Sequence, residues 1–507
     1  MPPCSSSKVN REVFSRTKKE WRNAASCWPT RPSCVECGAT CRVGDSWRVD
    51  ETYIKVARYI RRRKKGNYAF VRQSNCLDSV RPQDTDRAHM GETAASVDPR
   101  TNVDNRNLLP LGLIIVFGIF ASTMPQPQAL GKLPLQFLLK NNVHVTREQM
   151  AAFFFWCGLA WYLKPFAGIL TDAFPFFGTR RRHYLLFSSA LTALSWIGMG
   201  FLPHTYGSLL LGAMIVNLFM VMASTVTGAY LVEAGQRMSA TGRLTALRMV
   251  VYNFCTLIQG PLGGLLATVG FIWATGANAA LALTIFPIAY IYLKEQGAAQ
   301  YRGSVVFQNA GQQLKTIIRS KNLWVALLFI ALFYFSPGFS TPLFYMQTDE
   351  LHFSKQAIGN LGVFSGAFAI LAAILYSQLI KHFHIRILLL IAVAASACAT
   401  LLYLFYSDWI RAIWIESQNG FFFALAEITI LDLAARATPK GCEGLGYSLM
   451  LSVRNVALFG ADVVGSYLAD HKWPFANLVY LNAGTTAVVL ILVPLLPAAL
   501  MQSKDAA

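Results

Sequence analysis

WYLKPFAGILTDAFPFFGTRRRHY, residues 161–184, sets a lysine and an aspartate inside an apolar run and closes it with three arginines. The run begins at Ala151. A buried soluble helix rarely accepts a lysine without a partner, and a simple membrane anchor has no use for one. Apolar length and internal charge are needed together where helices cross a bilayer around a polar interior.

Composition points the same way. Of 507 residues, 54% are hydrophobic and 14% charged, whereas soluble domains carry about a quarter charged residues. The net charge of +19 would suit nucleic acid, but the basic residues gather in the leader and in short loops between apolar runs. There they read as topology signals facing anionic headgroups, and no nucleic-acid partner is expected. Six of the ten cysteines lie in the leader. CVECGATC offers one Cys-x-x-Cys without a second pair at metal-site spacing, so neither a metal nor a cofactor is expected.

Residues 1–107 are polar and basic, contain RRRKKG and lack a membrane-spanning run; they read as a disordered cytoplasmic leader. From Leu108 on, apolar segments approach the ~20 residues that cross a hydrocarbon core. They fall near 108–125, 150–173, 184–203, 207–232, 246–270 and 274–293, and, after a polar central loop at 294–322, near 323–346, 357–381, 386–406, 409–433, 446–469 and 475–500. The expectation is an all-α integral membrane protein. It has twelve transmembrane helices in two six-helix halves, 108–293 and 323–500, with a tail at 501–507. MPQPQ cuts the first segment short.

Loop charge sets the orientation. Arg180, Arg181, Arg182, Arg237, Arg243 and the basic central loop share the leader's side. Lys132, Lys140, Arg147, Lys355, Arg411 and Lys472 fall on the other. The excess puts both termini in the cytoplasm. A shift of 202 positions lays the fifth segment on the eleventh without a gap. Gly242, Leu247, Val251, Asn253, Gly263, Leu266 and Ala267 then meet Gly444, Leu449, Val453, Asn455, Gly465, Leu468 and Ala469. Two parallel six-helix repeats are the arrangement of major facilitator transporters.

The charged positions divide by depth. Asp172, one turn beyond Gly168 and followed by a basic loop, resembles the gate motif of major facilitators. The glycine admits a neighbouring helix, and the carboxylate pairs with a base in one transport state and releases it in the other. Arg180 to Arg182 are topology anchors, with Arg180 and Arg181 also available to the gate. Lys164 lies about 12 Å deeper than Asp172 at 1.5 Å per residue, where an unpaired charge costs roughly 3 kcal/mol. Two readings stand side by side: an ion pair within the bundle, with Glu233, Glu427 or Asp432 as partner, or a cationic contact for an anionic substrate. Glu233 and Arg248 flank an inner loop as interfacial charges. Glu427, well inside the tenth segment, suits proton coupling, because desolvation disfavours a buried carboxylate's charged form. Asp462 is comparable, and Arg454, two turns earlier, could pair with it. Substrate contacts are assigned to Lys164, Asn253, Glu427 and Asn455; coupling or gating to Gly168, Asp172, Arg180, Arg181, Glu233, Arg454 and Asp462.

The opening stretch also resembles the Trp-x-x-Lys-Pro-x-x-Gly-x-x-x-Asp-x-x-Pro-x-x-Gly-x-Arg-Arg signature of the folate-biopterin transporters, a branch of the major facilitators. SPGFSTPLFYMQTDELHFS (336–354) is similar to that family's seventh-helix segment, and ATPKGCEGLGYSLMLSVRN (437–455) to the segment before its eleventh helix. Two places depart: Gly228 stands where the family commonly has an Asp five residues before the Glu matching Glu233, and the segment opening the fifth helix matches loosely. The resemblance implies alternating-access transport of a folate- or pterin-like small solute, with proton coupling an expectation from the buried acids. A different charged metabolite such as S-adenosylmethionine is the rival within transport, and a non-transporting membrane scaffold the rival outside it. No His-Glu-x-x-His, Gly-x-Ser-x-Gly or phosphate loop occurs, so an enzyme is not expected.

Overall fold

The computed structural model describes residues 105–179, 181–238, 241–294, 303–439 and 442–496. The leader, its cysteine motif, Arg180 and the tail lie outside the described residues. Among those described, the only extended pairing is an isolated bridge between Phe176 and Thr179; the rest of the regular structure is helical.

Among the described residues eight helical spans are long and apolar enough to cross a membrane: Arg182–Phe201, Tyr206–Gln236, Arg243–Thr268, Phe271–Tyr292, Lys355–His382, Ile385–Phe405, Gly444–Asp470 and Phe475–Leu492. They coincide with eight of the twelve expected segments. The other four are broken or carry charge. The first is α1 (Asn105–Thr123), interrupted at Pro125 and Pro127 and resumed as α2 (Lys132–Asn141). The expected end of that segment at 125 is therefore corrected: proline has no N–H to continue the ladder, but the chain restarts in helix, drawing Lys132 and Lys140 out of the expected loop. The second consists of α3 (Arg147–Cys157), α4 (Leu159–Tyr162) and α5 (Lys164–Ala173). Thr146 and Gln149 form a reciprocal cap at its start, and Pro165 occupies the first turn of α5, where its missing N–H is harmless.

The continuous helices of the first set are α6 (Arg182–Phe201), α7 (Tyr206–Arg237) and α8 (Thr241–Thr268), followed by α9 (Phe271–Leu283) and α10 (Ile285–Tyr292). The expected central loop holds a further helix, α11 (Gly303–Arg319), bent 76° from α12 (Lys321–Tyr334). Phe307, Leu314, Ile317 and Ile318 recur at helical spacing, which the polar average of the stretch conceals. Ile317 is buried, and Phe307 meets Phe174 edge-on at 5.8 Å.

The seventh segment breaks after α12 at Ser336–Pro337–Gly338, resumes as α13 (Ser340–Tyr345) and ends in a wide turn at Met346–Glu350. Then follow α14 (Lys355–His382), α15 (Ile385–Leu401), α16 (Trp409–Ala437), α17 (Glu443–Asp470) and α18 (Phe475–Leu492). α16 is unbroken, but it carries Arg411, Glu416, Glu427, Asp432 and Arg436.

The breaks obey one constraint: in hydrocarbon every freed backbone group needs a partner. Trp196 Nε1 donates to the Pro125 carbonyl (2.8 Å) and Gln126 Nε2 to that of Ser122 (2.7 Å). At the second break Gly338 N donates to Ala461 O (2.8 Å), Asn482 Nδ2 to Pro337 O (2.9 Å), and Thr341 N to Asp462 (3.0 Å). The repeat is visible here in space. A Cβ on Gly263 of α8 would lie 3.3 Å from the Leu130 carbonyl at the first break; one on Gly465 of α17 would lie 1.7 Å from the Gly338 carbonyl at the second. Equivalent glycines thus seat equivalent breaks.

The two helix sets lock together at the end that carries Arg147. Gly260 and Gly264 of α8 meet Gly359 of α14 backbone to backbone. Phe137 packs edge-on to Phe344 at 5.1 Å. Arg147 pairs with Asp470 at 3.4 Å, Lys140 with Asp349, and the Tyr345 hydroxyl donates to Val145 O at 2.6 Å. The outer surface displays large apolar side chains such as Phe201, Trp273, Ile410 and Ile491, a liability in water and ordinary solvent contact in lipid.

Candidate functional site

Lys164 begins α5 beside the interruption of the second segment. Its Nζ donates to Ser224 Oγ of α7 at 3.1 Å and stands 5.0 Å from the Trp161 ring centre, a cation–π distance. The indole is fixed in turn: Trp161 Nε1 donates to Asn217 Oδ1 at 2.9 Å, and Asn217 Nδ2 donates to Cys157 O at 2.7 Å and Gln128 Oε1 at 3.0 Å. Asn217 is fully buried, so this knot ties the interruption to α7 and aims the lysine.

None of the three carboxylates expected to pair with Lys164 does so. Glu233 pairs with Arg181 at 2.7 Å, Glu427 with Arg454, and Asp432 with Arg436 at 3.0 Å while accepting from the Tyr376 hydroxyl. Among the described residues Lys164 has no carboxylate partner. The reason is topological: each acid meets a guanidinium from an adjacent element or its own helix first. Arg248, two turns into α8, lies within electrostatic reach of Lys164.

Across from this pair, Glu427 of α16 and Arg454 of α17 make an ion pair. Arg454 also donates to Asn455 Oδ1 at 2.9 Å and lies 4.9 Å from the buried Tyr334 ring. The suggested pairing of Arg454 with Asp462 is corrected, since Asp462 is engaged by Thr341, Oγ1 to carboxylate at 2.6 Å. Tyr252 of α8 lies within electrostatic reach of Glu427, Arg454, Arg248 and Tyr447. Lys164, Arg248, Tyr252, Glu427, Tyr447 and Arg454 all keep some solvent exposure. Electrostatic reach therefore links groups of both helix sets: three cations, one carboxylate and two phenol rings. Asn253 is exposed beside Tyr252.

The Asp172 end is a separate construction. Arg181, 2% exposed, pairs with Asp172 and Glu233, each at 2.7 Å, joining α5, α6 and α7. It is a buried clamp between the two acids. Gly168 faces Thr225, and an added methyl would find ordinary contact at 3.7 Å; close approach of helices does not require that glycine in this state.

Comparison with known proteins fits this geometry. The family model described as BT1 family matches residues 127–506, three quarters of the chain. The chain belongs to the BT1 family. Within it, the chain is 25% identical over 402 residues to a folate-biopterin transporter of Synechocystis sp., covering 74% of this chain and 80% of that one. It is 25% identical over 359 residues to folate transporter 1 of Plasmodium falciparum, covering 68% and 69%. Among solved structures, a D-xylose-proton symporter superimposes with TM-score 0.58 at 13% identity, covering 78% of this chain and 97% of that one. The nucleoside transporter NupG gives 0.56 at 11%, covering 78% and 99%. At that identity the likeness establishes the fold alone, that of the major facilitators. This BT1 family member is an integral multi-pass membrane protein, and the family resemblance read from its three motifs holds.

Tyr252, Tyr447 and the reach of Arg248 to Lys164 are what sequence reasoning missed. One signal was available: in the 202-residue shift Tyr252 falls on Arg454, so each marks the same position of its repeat.

Proposed function

We propose that the chain moves a folate- or pterin-like anion across its membrane by alternating access, binding it in the space between Lys164, Arg248, Tyr252, Tyr447 and the Glu427–Arg454 pair. The observation that carries this reading is a lysine deep in the bundle with no carboxylate partner among the described residues. Carboxylates of a glutamate tail would supply that charge at Lys164 and Arg248. A flat pteridine fits between phenol rings, and its N–H edge suits the Glu427 carboxylate. Three cations weigh against S-adenosylmethionine, whose sulfonium is itself positive.

Loop charge supports an Arg181 end in the cytoplasm with both termini. The state described would then be closed at the opposite face and receptive from within. The test is uptake of labelled folate and pterin in cells lacking their own carriers, with Lys164→Met beside the parent. Loss of a charge-assisted contact of about 1.5–3 kcal/mol lowers folate uptake roughly tenfold or more at equal surface expression. Unchanged uptake removes Lys164 from the site; uptake of S-adenosylmethionine in preference to both would replace the substrate.

A further inference from the structure

The helix within the central loop, α11, has no part in the site above. Its Ile317 is buried, and its Phe307 meets Phe174, at the end of α5, at 5.8 Å. Cys442, just before α17, donates from Sγ to Gln313 O at 3.8 Å. α11 therefore touches both helix sets at the Arg181 end. Phe307, Leu314 and Ile318 are each about half exposed. At roughly 100° per residue they fall within about 40° of one another around the helix. Lys315 and Arg319 edge that stripe and Lys321 follows it, all three exposed, while Gln312 and Thr316 stand on the far side.

Direction, continuity and charge together define what the stripe faces. α11 is bent 76° from α12, so with α12 crossing the bilayer α11 runs close to the plane of its surface. The corner is built: Ser320 Oγ accepts from Leu323 N at 3.4 Å, and Trp324 Nε1 donates to Ile318 O at 2.9 Å. Trp324, Leu328 and Leu332 are exposed at helical spacing and form the lipid-facing stripe of α12. The Trp324–Ile318 bond sets the end of α11 at the head of that stripe, and tryptophan is a residue of the headgroup level. No Asp or Glu occurs between Glu295 and Asp349. Among the described residues no ion pair engages Lys315, Arg319 or Lys321. An apolar stripe edged by unpaired cations complements anionic headgroups above acyl chains. The leader, the other candidate occupant, is itself basic, and like charge opposes it.

We propose that α11 is a membrane-surface helix whose partner is the anionic lipid of the leaflet at the Arg181 end. Phe307, Leu314 and Ile318 enter the acyl boundary, and Lys315, Arg319 and Lys321 reach the headgroups, the lysine stems lying along apolar surface with their ammonium groups in the polar layer. Loop charge supports that end as the cytoplasmic one, where anionic lipids are enriched. Because α11 touches Phe174 of one set and Cys442 of the other, the leaflet is joined to the end at which the sets must close. The inference needs the bilayer but not the cargo, and stands whichever solute is carried.

The test uses the full-length protein in nanodiscs of phosphatidylcholine alone, or of phosphatidylcholine with phosphatidylglycerol. A nitroxide amino acid is placed at Gly311, which borders the stripe and has nothing within 4 Å of where a Cβ would stand, and separately at Thr316. Collision with oxygen, which concentrates among acyl chains, is compared with collision with a water-soluble nickel chelate. In anionic discs the Gly311 probe is expected to favour oxygen and the Thr316 probe nickel; in neutral discs the Gly311 probe shifts toward nickel. Each cation near an anionic surface is worth about fivefold in binding. Lys315→Gln with Arg319→Gln should therefore lower the ratio of seated to unseated helix in anionic discs about twentyfold, read from the two components of the Gly311 spectrum. Nickel contact at Gly311 equal to that at Thr316 in anionic discs overturns the inference. So does an oxygen preference that neither lipid charge nor the double substitution moves. Protection of Gly311 from both reagents means that protein covers the stripe, whether the leader or another chain, and overturns it as well.

Discussion

Gly228 lies one turn beyond Ser224 on the same face of α7, with nothing within 4 Å of where a Cβ would stand. Ser224 is the group that holds Lys164. A carboxylate at 228 would have both room and reach to neutralise the lysine, so the glycine leaves that charge to the cavity. Gly228→Asp is expected to weaken uptake of folate by about tenfold, the worth of one charge-assisted contact, while a neutral pterin is carried as before; concentration dependence of uptake for the two solutes checks it. Arg181 gives the opposite case, a charge held by two partners. Removing the cation from a buried pair costs about 3–5 kcal/mol when all partners are buried. Asp172 and Glu233 are a third exposed, so Arg181→Met should fall below that range. The measurement is a lowered thermal unfolding midpoint in detergent, which Arg181→Lys restores in part.

At the scale of the element, the proline-broken first and seventh segments explain why spans legible in composition were harder to bound. Eight runs announce themselves by apolar length alone, and the structure keeps all eight. The prolines at 125, 127 and 337 are equally visible. What they do is not, since a proline ends a helix in water and merely interrupts one where neighbours satisfy the freed groups. Charges were legible by depth but not by partner. Helical spacing on α17 suggested Arg454 with Asp462, yet each found its mate on another helix, Glu427 on α16 and Thr341 on α13, and sequence carries no distance between helices. The glycines show the same limit. Gly263 and Gly465 align in the repeat, but only Gly465 abuts a carbonyl at 1.7 Å from its would-be Cβ, against 3.3 Å for Gly263. Gly465→Ala must push α17 off the second break, at about 1–3 kcal/mol or more for overpacking against backbone. Gly263→Ala should cost distinctly less. Yield and unfolding temperature of the purified variants, compared side by side, decide it; equal losses would show that the second break yields as easily as the first.

For the whole molecule, the decisive feature is the asymmetry of the seam. The sets are pinned at the Arg147 end by glycine-to-glycine backbone contact along α8 and α14, by aromatic packing and by ion pairs, while Lys164, Tyr252 and Arg454 are not fully buried. Exposed pairs of this kind contribute little each, about 0–1 kcal/mol. Their role is consistent with a latch that must release in every cycle, since a seam as tight as a domain core would hold one state. Covalent closure of that seam should therefore stop transport without emptying the site. In a protein with Arg147→Cys and Asp470→Cys, a short bifunctional thiol reagent ties α3 to α17. Folate uptake is expected to stop and to return when a cleavable linker is cut. Folate binding to the cross-linked protein in detergent should persist, because the cavity would be reached from the Arg181 end. Loss of binding together with uptake would mean that substrate enters through the Arg147 seam, and the cytoplasm-receptive reading of this state would then be wrong.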